Sequence, residues 1–378
     1  MDKEIVLATA GSGKTTEIIK RLNKENKLLL ITYTDANYDI LKNKVLEKYK
    51  EIPNNIKIYT YFSFLYNVCF APLKRNWDIR GLDFKDINDK YLKKDDIQYY
   101  LNKKNRKMYH CRLASFCNEY LIDEIKERLE KYFDTIFIDE IQDFASHDFN
   151  FLMQILEANV NFFMVGDFYQ HTYDSSRDGN ANINLYKDYT KYKKLFKQKN
   201  IKINTELLKK SRRCSKTVCE FIKNKIGIDI ESEHEEETLV KEIIDEKAII
   251  NTIENDKIVK LFYNSHIKYN IKNTNNWGNS KGETYNDVCV ILNPNTYKLY
   301  KKNRLIELPQ QTKNKLYVAC SRAKNNLNFI EEKKIAKYKK WLDFITNHFY
   351  FYQVHFLLRL LLHMLNLLGL HFQSFYRQ

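Results

Sequence analysis

No Cys-x-x-Cys pair occurs among the seven cysteines, Cys69, Cys111, Cys117, Cys214, Cys219, Cys289 and Cys320. That absence removes the common zinc-ribbon reading, and His110-Cys111 with Cys117 lacks zinc-ligand spacing. An odd, scattered set of thiols, with a first apolar run that starts almost at Met1, predicts buried cysteines in a reducing, cytoplasmic compartment. Proline and glycine are scarce, at four and nine in 378 residues, which excludes Pro- or Gly-rich linkers. No internal repeat of fixed period is present, so a solenoid is excluded as well.

An unbroken apolar run of membrane-spanning length is also missing. The nearest approach is His348 to Phe372, dominated by Phe, Tyr, His and Leu around Leu357-Leu358-Arg359-Leu360-Leu361-Leu362. A span needs about 20 predominantly apolar residues. Gln353, His355, Arg359, His363 and Asn366 interrupt this one, and an arginine in mid-bilayer is costly. Residues 341–378 are therefore read as an atypical hydrophobic C-terminal extension. A helix packed on the core or on a protein partner is preferred over an out-of-frame or disordered extension, and a membrane anchor is the least favoured.

Charge is abundant and unbalanced. Lys and Arg number 63 against 48 Asp and Glu, a formal net charge of +15. That excess points to a polyanionic partner, nucleic acid before anionic membrane. Plentiful Lys, Asn, Ile and Tyr beside scarce Gly and Pro is also what AT-rich codon usage produces, so charge alone supports that partner only in part.

Apolar β-branched or aromatic runs alternate with amphipathic stretches, the pattern of layered α/β folds with parallel sheets. The expected strands are Lys3 to Leu7, Leu28 to Thr32, Lys57 to Tyr61, Thr135 to Asp139 and Phe162 to Asp167, then a second series at Ile258 to Tyr263, Asp287 to Leu292 and Asn326 to Ile330. Between the third and fourth, residues 66–131 are polar and Lys-rich and read as an inserted helical subdomain. The acidic Glu231 to Glu237 and the Asn/Gly-rich Asn273 to Asn279 read as surface loops. The predicted organisation is a first lobe over 1–200, a second over 201–340, and the extension over 341–378.

The chemistry concentrates in a few places. Ala8, Thr9, Ala10, Gly11, Ser12, Gly13, Lys14, Thr15 and Thr16 lie between an apolar run and a helical stretch. Strand, glycine turn, Lys-Thr and helix is the arrangement that cradles a triphosphate. Backbone N–H groups face the phosphates, Lys14 reaches the β/γ oxygens and Thr15 can hold Mg²⁺. Ile136-Phe137-Ile138-Asp139-Glu140 ends a buried strand with two carboxylates. Asp139 would hold the Mg²⁺ of bound ATP and Glu140 would polarise the attacking water. Gln170, after Gly166-Asp167-Phe168-Tyr169, is positioned to sense the γ-phosphate. Arg213 and Arg322, each in a distinctive local context, could reach the same phosphate from a second lobe.

Taken in order, these segments resemble the superfamily 1 helicases of the UvrD/PcrA type, over residues 5 to 332. Ala8–Thr16 looks like the family's first motif. Leu30 to Asn37 is similar to its Thr-Phe-Thr-Asn segment, and Thr60-Tyr61-Phe62-Ser63 to its Thr-Phe-His-Ser segment. Ile138 to Asp143 resembles Asp-Glu-Phe-Gln-Asp, and Gly166 to Gln170 resembles the third motif. Ser211-Arg212-Arg213 resembles Asn-Tyr-Arg, Ser280 to Thr284 the Lys-Gly-Leu-Glu motif, and Tyr317 to Lys324 the closing Val-Ala-Leu-Thr-Arg-Ala. The resemblance implies two RecA-like P-loop NTPase lobes with ATP and Mg²⁺ between them, coupling hydrolysis to 3′→5′ movement on single-stranded DNA, with RNA possible. It implies that Glu283 contacts the ribose or phosphates, and that Tyr33, Thr60, Tyr61 and Tyr173 lie along the single strand, where aromatic faces stack any base.

Several departures stand out. The phosphate loop lies so near Met1 that no adenine-reading glutamine segment is expected ahead of it. Arg212 replaces the usual aromatic, the tryptophan after the third motif is missing around Tyr173-Asp174-Ser175, and the gap from Arg213 to Lys281 has no room for the large second-lobe insertion of bigger relatives. Two rival readings remain open: a non-motor P-loop enzyme such as a small-molecule kinase, and a nucleic-acid-binding or membrane-tethered scaffold with a vestigial ATPase.

Overall fold

The computed structural model describes residues 1–74, 77–85, 87, 92, 93, 96–172 and 179–339. Tyr173 and the extension from residue 341 lie outside the described residues. The chain begins with β1 (Lys3–Leu7), α1 (Lys14–Arg21), β2 (Leu28–Thr32), α2 (Asp35–Tyr49), β3 (Ile56–Thr60) and the short α3 (Tyr61–Phe64). An inserted stretch follows, with a two-residue pair, β4 (Leu82–Asp83) and β5 (Met108–Tyr109), and helices Leu113–Tyr120 and Ile122–Tyr132. Then come β6 (Thr135–Ile138), β7 (Asn161–Gly166) and β8 (Lys202–Asn204). These build a six-stranded parallel sheet in the order β3-β2-β6-β7-β1-β8.

The sequence makes this sheet because its strands are apolar at consecutive positions, so both faces can be buried. Ile5, Leu29, Ile31, Ile136, Ile138, Phe162 and Met164 enter the core on one face. Val6, Leu28, Leu30, Phe137, Phe163 and Val165 enter the core on the other. The larger face also holds the insertion, whose Phe70, Trp77, Tyr100, Phe116 and Tyr120 pack edge to face. Residues 66–131 are mainly helical, as expected, with the β4–β5 pair as an addition.

The second half contains β9 (Lys210–Ser211), β10 (Glu231–Ser232), β11 (Val240–Glu242), β12 (Ile258–Phe262), β13 (Thr274–Asn276), β14 (Asp287–Leu292) and β15 (Leu327–Glu331). Five of these form a second parallel sheet in the order β11-β15-β14-β12-β13, while β9 pairs with β10 alone. Both its faces are buried too, with Leu261, Val290 and Phe329 on one and Phe262, Ile291 and Ile330 on the other. The protein is thus an α/β molecule of two parallel-sheet lobes.

Several expectations are corrected. β3 stops at Thr60, not Tyr61, because the Thr60 hydroxyl accepts the Ser63 N–H (3.3 Å) and caps α3. Thr274–Asn276, expected in a loop, is the edge strand β13, and Glu231–Ser232 pairs with Lys210–Ser211. These strands are short and polar, so no apolar run marks them. β8 pairs with β1, so the first sheet reaches residue 204, beyond the expected boundary at 200.

Trp277 is fully buried in the second core, its indole N–H donating to Leu261 O (2.9 Å). Trp277→Ala should remove about 3–5 kcal/mol of stability, read as a lower unfolding midpoint in urea.

Candidate active site

The glycine turn is built by backbone that only a small residue tolerates. Gly11 and Gly13 have φ of 72° and 91°. A Cβ on Gly11 would stand 2.6 Å from the Cβ of Arg213, so the second half of the chain lies directly against this turn. Ala8 N–H donates to Gly166 O (2.8 Å), continuing the β1–β7 pairing into the loop. Ser12 turns its hydroxyl back onto Thr9 O (2.9 Å). Helix α1 then starts at Lys14 with no side chain capping it, leaving its first N–H groups open for an anion.

Other bonds tie the loop to the second half. Thr9 Oγ1 donates to Lys209 O (2.9 Å), Arg212 N–H to Gly11 O (2.9 Å), and Ala10 N–H to the hydroxyl of Tyr317 (2.9 Å). The same hydroxyl donates to Asp167 Oδ2 (2.8 Å), which also accepts Gln170 Nε2 (3.0 Å). Tyr317 therefore links the phosphate loop to Gln170 through one buried oxygen.

Asp139 and Glu140 emerge from the carboxyl end of β6. Glu140 sits at φ 56°, a left-handed conformation uncommon for such a residue and typical of strained functional positions. Its carboxylate lies 3.8 Å from Lys14 Nζ and 3.7 Å from Lys281 Nζ, and accepts a hydrogen bond from Gln142 Nε2. Lys281 is also clamped on Asp143, at 2.6 and 2.7 Å. Burial pushes the Glu140 carboxyl up, but Lys14 and Lys281, with help from Gln142 and Arg322, outweigh it and hold it at about 2. Asp139 goes the other way: burial and the neighbouring Glu140 push it up to about 6. Glu140 is thus ionised throughout the physiological range.

Thr15 Oγ1 donates to Asp139 Oδ2 (2.8 Å). Two hard oxygen donors side by side at a helix N-terminus suit Mg²⁺, which takes one or two carboxylates and completes its shell with phosphate and water. No group of three or more metal-binding side chains occurs among the described residues, so an all-protein cage is not the design.

Arg213 and Arg322 complete the cleft. Arg213 Nη1 donates to Ser321 O (3.2 Å). Arg322 is buried and donates to Val318 O (3.0 Å), Glu283 O (3.2 Å) and Ser321 Oγ (3.1 Å). Burial, and then Arg213, lower its guanidinium to about 9, still cationic at neutral pH. A cavity of about 460 Å³ is lined by Lys14, Thr15, Glu140 and Gln170 from the first half and by Arg212, Arg213 and Arg322 from the second.

Residues 113–331 match the family model described as the viral superfamily 1 RNA helicase core domain, and residues 2–176 match an AAA domain. The first match spans more than half of the chain. The chain belongs to the superfamily 1 helicase family. A 108-residue stretch, 26% of the chain, is 35% identical to one of the subunits of the ATP-dependent helicase/nuclease of Lactococcus lactis subsp. lactis (strain IL1403), and covers 9% of that protein. Among solved structures, the PRRSV helicase is similar at 12% identity and TM-score 0.43, over 88% of this chain and 53% of the other. The arterivirus nonstructural protein 10 helicase solved with DNA is similar at 14% and 0.48, over 87% and 60%. The chain therefore spans less than two thirds of each of these relatives.

Within this helicase, the expected nucleotide residues converge, with refinements. Gly11, Gly13, Lys14, Thr15 and Thr16 face the cavity, whereas Ala8, Ala10 and Ser12 are buried in the loop's frame. Glu283 contributes its carbonyl to Arg322, and its neighbours Gly282 and Thr284 line the cavity in its place. The acid comes one residue early, and its side chain is turned to solvent. Tyr61 is buried, stacked on Tyr33 at 5.5 Å and edge-on to Phe144 at 4.7 Å, and donates to Asp148 (3.1 Å). Its ring faces are taken up by protein, so it offers no free face to a base in this conformation. Thr60 caps α3. Sequence reasoning assigned no work to Lys281, Asp143, Gln142 or Tyr317, although each sits inside a motif it recognised.

Two outcomes follow from this geometry. Tyr317→Phe deletes an oxygen shared by two buried partners and should cost about 1–3 kcal/mol, measurable by denaturant unfolding. As pH falls through about 6, Asp139 takes up a proton in the metal-free protein. The Mg²⁺ concentration for half-maximal nucleotide binding should then rise by roughly tenfold per pH unit, as a fluorescent ATP analogue would report.

Proposed function

We propose that the chain is an ATP-driven motor of the UvrD/PcrA type that moves along single-stranded nucleic acid, DNA first and 3′→5′ by resemblance. The observation that carries the proposal is the cleft itself, in which Lys14 and Glu140 of one lobe and Arg213 and Arg322 of the other face one cavity. A small-molecule kinase needs the first pair and leaves the second without work.

In this reading Lys14 and the open end of α1 bind the β- and γ-phosphates, and Thr15 and Asp139 would hold Mg²⁺, which would neutralise charge on the phosphates. Glu140, kept ionised, orients the attacking water and accepts its proton. Arg213 and Arg322 stabilise charge on the γ-phosphate, and Gln170 passes its presence through Asp167 and Tyr317 to the second lobe. Loss of the phosphate would loosen the grip of the arginines and let the lobes shift along the polymer. The lobe boundary is proposed just after residue 204, and the strand is proposed to run past Tyr33, Thr60 and Tyr173. The compartment is proposed to be cytoplasmic; no helix among the described residues is long and apolar enough to cross a membrane.

The test is ATP turnover titrated with single-stranded DNA, single-stranded RNA and duplex. Stimulation by single-stranded DNA is expected, and stronger stimulation by RNA would change the polymer, in keeping with the family's description. Lys14→Ala and Glu140→Gln should each abolish the stimulated turnover, and Arg322→Ala should lower it roughly 10³-fold or more. Stimulation retained in Lys14→Ala or Glu140→Gln would contradict the assignment.

A further inference from the structure

The insertion carries an exposed aromatic cluster that no part of the nucleotide chemistry uses. Where β3 ends, Tyr61 turns inward while Phe62, the next residue, turns out and is 38% exposed. Phe84 follows β4 directly and is 65% exposed; His110 follows β5 directly. β4 and β5 run parallel with Leu82 opposite Met108 and Asp83 opposite Tyr109, so the next pair in register is Phe84 beside His110. Their rings stack at 5.1 Å with 26° between planes, and Phe62 lies 6.1 Å from Phe84. His110 Nδ1 is pinned near Asp83 O at 3.3 Å, which holds the platform in shape.

The geometry points to these three rings as a base-stacking platform for single-stranded nucleic acid, a site that rests on the motor reading above. Phenylalanine rings offer no hydrogen bond, so an occupant must present a flat or apolar face. The neighbourhood selects an anion among such occupants. Lys85 is exposed, and the loop before β5 carries exposed Lys104, Arg106 and Lys107. That loop is tied to the strand that leads to Phe84, by Arg80 N–H to Arg106 O (3.1 Å) and Met108 N–H to Gly81 O (2.8 Å). The nearby carboxylate, Asp83, is buried, engaged by Asn102 and the Lys85 N–H. Flat faces beside phosphate-binding cations are what a single strand requires, and every base has such a face.

Position excludes the nucleotide in the cleft as the occupant. β3 is the edge of the sheet, four strands from β1, or about 19 Å at the usual strand spacing. The platform nonetheless opens at the carboxyl end of the sheet, the side on which the glycine turn lies. A polymer crossing that end could touch both sites.

Binding of the full chain to fluorescent oligo(dT) and oligo(U), with and without abasic residues, tests the proposal. Phe84→Ala should weaken binding to the intact oligomers roughly 5- to 150-fold, with an unchanged dependence on salt because no cation is removed. Phe84→Trp should retain binding, and abasic oligomers should bind wild type and Phe84→Ala alike. Equal binding of intact oligomers by wild type and Phe84→Ala would overturn the platform while leaving the motor standing. So would a deficit that persists on abasic strands, or one that appears only with phosphatidylserine vesicles. Wild-type protein that binds no single strand would overturn the motor and the platform together.

Discussion

One glutamate stands between two lysines that come from opposite halves of the chain. Glu140 has Lys14 at 3.8 Å on one side and Lys281 at 3.7 Å on the other, and little water reaches any of them. In such surroundings, removing one partner of a charge pair is far more damaging than the pair is stabilising, because the survivor is left uncompensated. The ionisation of the catalytic base is therefore a property of both lobes at once. Lys281 is further tied to Asp143, so the second lobe meets the first through a compact set of alternating charges rather than through an apolar seam.

The glycine turn shows the same interdependence in its backbone. In a lone nucleotide-binding lobe it would be framed by its own strand and helix. Here Thr9, Ala10 and Gly11 each bond to the second half, and Ala10 is buried in the second lobe's core. The Tyr317 hydroxyl joins the turn to Asp167 and so to Gln170, which gives a change at the phosphates a short covalent and hydrogen-bonded route to the other sheet.

Much of this was legible in the sequence because it is local. A buried strand shows as an apolar run, and a glycine turn before Lys-Thr shows as a motif, so both sheets and the order of the cleft residues could be written down from the chain. Interactions that join distant segments leave no such trace. Lys281 and Asp143 meet across 138 positions and Tyr317 and Asp167 across 150, and each looks locally like an ordinary motif neighbour. The misread strands β8, β10, β11 and β13 fail for a different reason. They are short and lie at sheet margins or in a two-stranded pair, where one neighbour suffices and polar residues are tolerated. Tyr61 was misjudged because a motif tells which residue follows a strand, not which way its ring turns.

Ala10 has a consequence for how the gene can be divided. Its side chain belongs to the second lobe's interior although it is the tenth residue of the chain. A recombinant first lobe expressed alone would expose that methyl and orphan its N–H, and a second lobe alone would carry a dent where the methyl belongs. Exchange of lobes between homologues should therefore be least disruptive when the segment around Ala10 travels with the second lobe it fits.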